Sequence, residues 1–112
     1  MKAVTIKATG EIETIEFTTE NSYRTLSDSV GGLIEPVYLA ENLTLWVNEE
    51  GKVYGQAVNP IATAIFQSVF GEIDIMVGDV ILTGGYDDEG ETLGMTIEQI
   101  EEVSTMFAYE TH

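Results

Sequence analysis

Four acids of one segment, Asp87, Asp88, Glu89 and Glu91, with Glu98 further on, come nearest to a constellation that does chemistry. Carboxylates spaced in this way build calcium loops, which place acids at positions 1, 3 and 5, a glycine at 6 and a bidentate glutamate at 12. Counted from Asp87, the acids Glu89, Glu91 and Glu98 fall at positions 3, 5 and 12. The sixth position, however, is Thr92, and Gly90 falls at 4. The segment before the loop also reads as a strand where a helix is required. The expectation is a solvated acidic loop that binds divalent cations weakly at best.

The other reactive residue types lack partners. Paired carboxylates working as acid and base need a pocket and a raised pKa. Only Glu35 and Asp79 stand beside apolar strand residues, and both read more simply as outward-pointing or turn positions. His112 is the single histidine and ends the chain. The serines at 22, 27, 29, 68 and 104 have no nucleophile-elbow context. Val30-Gly31-Gly32 and Thr83-Gly84-Gly85 fit neither G-x-G-x-x-G nor a Walker loop, and no lysine follows them. They are expected to end a helix and shape a turn. Asn42-Leu43-Thr44 matches a glycosylation acceptor, which a cytosolic chain never presents to that machinery. Without cysteine, disulfides, zinc–thiolate sites and thiol catalysis are excluded. No catalytic, metal or cofactor set can be named, so an enzyme is not expected.

Trp46, Tyr38 and Tyr54 can cluster on neighbouring strands. In a chain with one tryptophan such rings are expected in the core. The functional alternative is an aromatic recognition face for a nucleobase or a partner protein.

The charge is unusual. Four basic residues (Lys2, Lys7, Arg24, Lys52) face twenty acidic ones, a formal net charge of −16. After Lys52 there is no Lys or Arg, yet eleven Asp and Glu follow. Such a surface repels nucleic acid and anionic membranes and attracts basic proteins and cations. Solubility alone is an equally simple reason for it. The start, MKAVTIKATG, lacks the apolar core of a signal peptide. Gln67, Glu72 and Asp74 interrupt the most apolar region, 61–80, so no membrane span is expected there. A cytoplasmic location is the default.

The elements that must position these residues follow from pattern. With 112 residues, 44% of them hydrophobic, one domain over 1–112 is expected. Segment 3–8 alternates as a strand, Thr9-Gly10 turns it, and a second strand runs near 12–18. Asn21 or Ser22 caps a short helix through Val30, with Tyr23, Leu26 and Val30 on its apolar side, and Gly31-Gly32 ends it. Residues 33–39 read as a strand, which Pro36 assigns to an edge or a bulge. LTLWVN (43–48) is a clear strand, and Glu49-Glu50-Gly51 is expected to turn it back into a strand at Val53-Tyr54. Asn59-Pro60 opens a helix with Ile61, Ala64 and Ile65 inward. Residues 80–83 form the last strand. Thr96 and Gln99 make a capping box for a final helix, whose buried stripe is Ile97, Ile100, Val103 and Phe107. The predicted fold is α+β: a five- or six-stranded, mostly antiparallel sheet with about three helices packed on one side.

Several segments then line up together. VGGLIE (30–35), LTLWVNEEGKVYG (43–55), Asn59 with its helix, IMVGDVILTG (75–84) and MTIEQIEEV (95–103) resemble, in order, the domain-of-unknown-function family 3846. The resemblance spans roughly residues 1–103, and the acidic stretch 84–94 is longer than the family pattern. The resemblance implies an accessory protein of a bacteriophage, plasmid or other mobile element, acting inside a bacterium. It supplies no activity and no site residues.

Three functions compete. The first is an acidic, non-enzymatic protein that binds the basic surface of a host protein, imitating nucleic acid without binding nucleic acid or membrane itself. Its contact residues are expected to be Asp87, Asp88, Glu89, Glu91, Glu98, Glu101 and Glu102, continuous with the Glu49-Glu50 turn. The second is a binder of a small nucleotide, for which four basic residues are few. The third is a homo-oligomeric accessory protein, such as a homodimer joined through exposed apolar sheet surface.

Overall fold

The computed structural model describes residues 1–108, the last two by their backbone alone. The sheet starts with a hairpin. Strand β1 (Lys2–Ile6) pairs antiparallel with β2 (Ile12–Glu16), from Lys2 opposite Glu16 to Ile6 opposite Ile12. Gly10 makes the turn possible with a φ of 99°, in the region open to glycine. Helix α1 (Ser22–Val30) follows, with Asn21 at its cap position and Gly31 ending it in the left-handed conformation. Its buried residues are Leu26 and Val30, while Tyr23, expected on the same side, is exposed.

Strands β3 (Ile34–Ala40) and β4 (Leu43–Asn48) form the second hairpin, turning at Glu41 and Asn42. Helix α2 (Pro60–Phe70) leads to β5 (Val80–Thr83), and α3 (Ile97–Ala108) follows. The five strands run in the order β2-β1-β5-β4-β3, every neighbouring pair antiparallel. The fold is α+β, as the pattern implies. Pro36 lies on the edge strand β3, where its missing N–H leaves no ladder bond unmade.

Two expectations about the architecture fail here. No strand forms at Val53-Tyr54. The edge of β4 that such a strand needs is taken by β5, with Leu45 opposite Leu82 and Trp46 opposite Ile81. Residues 49–55 instead fold into successive turns, closed by Tyr54 N–H to Glu50 O at 3.0 Å and Gln56 N–H to Gly51 O at 3.0 Å. Val53 and Tyr54 are left 82% and 70% exposed.

The helices, moreover, cover both faces of the sheet. Leu26 and Val30 of α1 pack with Ala3, Phe17 and Ile81, joined by Ile15, Ile34 and Trp46. On the other face Val4, Ile6, Leu39, Leu45, Val80 and Leu82 meet Ile61, Ala62, Ile65 and Phe66 of α2 and Val103 of α3. This two-sided cover explains why all four residues of β5 are buried and why its sequence, VILT, does not alternate.

The starts of α2 and α3 are set by side-chain caps, whereas Asn21 makes no such bond to α1. The Asn59 side chain accepts from Ala62 N–H at 3.0 Å and donates to Ile6 O at 3.0 Å and Gly78 O at 2.9 Å, all buried. The inward alanine of α2 is Ala62, whereas Ala64, expected inward, is exposed. At α3 the capping box forms as predicted: Thr96 N–H to Gln99 Oε1 at 3.0 Å and Gln99 N–H to Thr96 Oγ1 at 3.1 Å. Ile97 is exposed, because the stripe of α3 is carried by the partly buried Ile100 and by Val103. The expectations for the Phe107 side chain and for His112 fall outside what is described.

Candidate functional site: an acidic hairpin over an aromatic notch

Residues 84–94 are held in a small closed hairpin. Gly84 N–H donates to Leu93 O and Leu93 N–H to Gly85 O, both at 2.9 Å, and Tyr86 bridges Thr92. At the tip, Asp87 Oδ1 accepts from both Glu89 N–H and Glu91 N–H at 2.9 Å. The Asp87 carboxylate is thus spent on holding the loop, in the way short acidic side chains mimic a backbone turn. Met95 N–H to Lys2 O, at 2.8 Å, ties the hairpin to β1. Gly84 and Gly85, expected to shape a turn, run instead in the first leg of the hairpin, the turn lying at Asp88-Glu89. Their lack of a side chain serves close approach, since a Cβ on Gly84 would overlap the Gly94 carbonyl and one on Gly85 would lie 2.5 Å from Glu41 O.

The seven sequence-predicted contact residues fall into two groups. Asp88 and Glu89 stand exposed at the tip with Asp87, and Glu91 is half-buried. Glu98, Glu101 and Glu102 are exposed, and all three border the same surface depression on α3. Both groups adjoin the Glu41–Asn42 turn: Gly85 packs on Glu41, and Gln99 Nε2 donates to Asn42 O at 2.9 Å. They form one acidic pole. Glu49 and Glu50, expected to continue it, lie at the opposite end of β4. Two of the basic residues are at that far end as well. Lys52 pairs with Asp74, and Lys7 pairs with Glu11 at 3.6 Å. The Lys52 ammonium bonded to Asp74, together with the Ile75 N–H, holds the Asp74 carboxyl below the ordinary aspartate range. No group of three or more acids or histidines placed to hold a metal ion occurs among the described residues.

Next to the hairpin the sheet face beyond α1 stays open. There Tyr38, Thr44, Trp46, Gly85, Tyr86, Gly90 and Thr92 line a notch of about 240 Å³. The rings of Tyr38 and Tyr86 meet edge to face, centroids 6.1 Å apart at 69°. Of the three aromatics predicted to cluster, Trp46 and Tyr38 do so. Tyr54 lies on the turn beyond the far end of β4, and Tyr86 takes its place. Sequence reading missed Tyr86, since only the closing of the 84–94 hairpin brings it to Tyr38.

The family profile of domain of unknown function DUF3846 matches residues 1–108. The chain belongs to this family. No curated protein and no solved structure matches it. Membership in DUF3846 therefore fixes kinship and leaves activity to be argued from the site. Among the described residues no helix is long and apolar enough to cross a membrane. Exposed apolar side chains occur around the end of α2, at Val69, Phe70, Ile73 and Ile75, and both sheet faces carry helices.

Proposed function

We propose that this DUF3846 protein is a non-enzymatic binding module that docks its acidic pole on the basic surface of a partner protein. The observation that carries the reading is the closed hairpin. Asp87 uses its own carboxylate to fix the backbone that presents Asp88, Glu89 and Glu91, so the charges are held in place before any partner arrives. Charges ordered in advance lose less entropy on binding than charges on a loose loop.

A phage or mobile-element origin, which the family resemblance implies, puts host nucleic-acid enzymes within reach. Their grooves are lined to receive regularly spaced negative charge. Occupying such a groove is the mechanism we favour. The acids that can do so are those flanking the Glu41–Asn42 turn, without help from Glu49 and Glu50. A bacterial cytoplasm is the matching location.

Immobilised protein should retain a basic host protein from bacterial lysate and release it as salt is raised, and the captured protein should lose its bound DNA when this chain is added at low salt. Retained DNA in that displacement experiment refutes the mimicry mechanism.

A further inference from the structure

A partner docked on the acidic pole needs an anchor beyond dispersed charge. Beside the acidic pole, Tyr38 and Tyr86 are 57% and 61% exposed although their rings touch. Two contacting tyrosines left open to water beside the half-buried Trp46 present more aromatic surface than folding requires. The indole N–H of Trp46 already donates to Thr83 Oγ1 at 2.8 Å, so what Trp46 offers the notch is its ring. The remaining wall, Gly90 and Thr92, belongs to the hairpin whose tip carries Asp88, Glu89 and Glu91. No basic side chain lines the notch.

Such a site offers aromatic rings in its lining and negative charge at the hairpin rim. Aromatic faces attract cations through the ring quadrupole. The rim acids repel an anion and add nothing for a neutral ring. Of the two protein cations, the guanidinium is flat, more weakly hydrated and able to stack, whereas the ammonium is compact and strongly hydrated. We propose that the notch seats one arginine side chain of the partner, as the anchor around which the acidic pole settles. The inference rests on the acidic-pole reading and deepens it.

Trp46 is the only tryptophan and reports directly on the notch. Its fluorescence is followed at physiological ionic strength while hexa-arginine or hexa-lysine peptide is added to the wild type and to Tyr38→Leu and Tyr86→Leu, substitutions at exposed positions that leave Trp46 in place. Hexa-arginine is expected to change the Trp46 emission saturably and to bind about fivefold or more tighter than hexa-lysine, the scale of a cation–π contact. Either tyrosine substitution should bring the two peptides to parity while weak binding of both persists. Equal affinities with no change at Trp46, or an arginine preference that survives both substitutions, overturn the notch proposal and leave the acidic pole standing. Absence of binding by both peptides even at low salt overturns the two together.

Discussion

The indole Nε1 of Trp46 donates to the hydroxyl of Thr83 at 2.8 Å, across the β4–β5 pair and between residues 37 apart in the chain. Thr83 is completely buried, so the bond both satisfies the indole and fixes a ring that lines the notch. Thr83→Val keeps the shape and strands the N–H. We expect a loss of about 1–2 kcal/mol in urea denaturation, the desolvation cost of an unmade bond, and a smaller loss for Thr83→Ser. Equal stability of Thr83→Val and the wild type would show that the bond does no structural work.

Asn59 is the most heavily used buried polar side chain. Asn59→Ala removes the cap of α2 and leaves Ile6 O and Gly78 O without their donor, and should cost about 3 kcal/mol. Asn59→Asp keeps the cap acceptor but sets a carboxylate against two carbonyl oxygens. It should be nearly as destabilising at neutral pH and recover in part in acid, as protonation restores a donor. Thermal melts of the three proteins at two pH values check this.

These two residues also show what was legible in the sequence. Asn59-Pro60, Thr96 with Gln99, and Gly31 are local signals whose partners lie within a few residues, and each element end they imply is present. What β4 pairs with is a long-range fact. Glu49-Glu50-Gly51 looks like a hairpin turn on its own, and only β5, arriving from 80–83, takes the edge and forces those residues into turns. The unalternating VILT of β5 was the available sign that both faces are covered. At the site, the acids could be read from composition, but Tyr86 beside Tyr38 could not, because nothing near either residue encodes their meeting.

The hairpin should depend on Asp87 for order more than the fold does. Asp87→Ala removes the acceptor of two backbone N–H groups in an exposed loop, so global stability should fall by only about 1 kcal/mol. Amide exchange at Glu89 and Glu91 should nevertheless accelerate strongly, since loss of those bonds opens the tip locally. Unchanged exchange at both amides would contradict a preordered loop.

The Lys52–Asp74 pair gives a pH signature. Its folded-state carboxyl titrates below the ordinary range, so the stabilisation is present above the unfolded aspartate's titration and is lost as pH falls through the depressed folded value. Both side chains are about half exposed, which limits the pair to about 0.5 kcal/mol. Asp74→Asn should therefore differ from the wild type at neutral pH and low salt, and the difference should vanish below the depressed titration or in high salt. A difference that persists in strong acid assigns the effect to packing rather than charge.

If the acidic pole is the docking surface, position rather than bulk acidity decides binding. This is tested most directly by capture from bacterial lysate on three immobilised proteins of controlled charge, with quantitative mass spectrometry of the salt eluate. One is the wild type, one carries Asp88→Asn, Glu89→Gln and Glu91→Gln at the acidic pole, and one carries Glu35→Gln, Glu49→Gln and Glu50→Gln at the far end of β4. A basic partner retained by the wild type should be kept by the third protein and lost from the second. Equal loss from both variants, or equal retention by both, would contradict docking through the acidic pole.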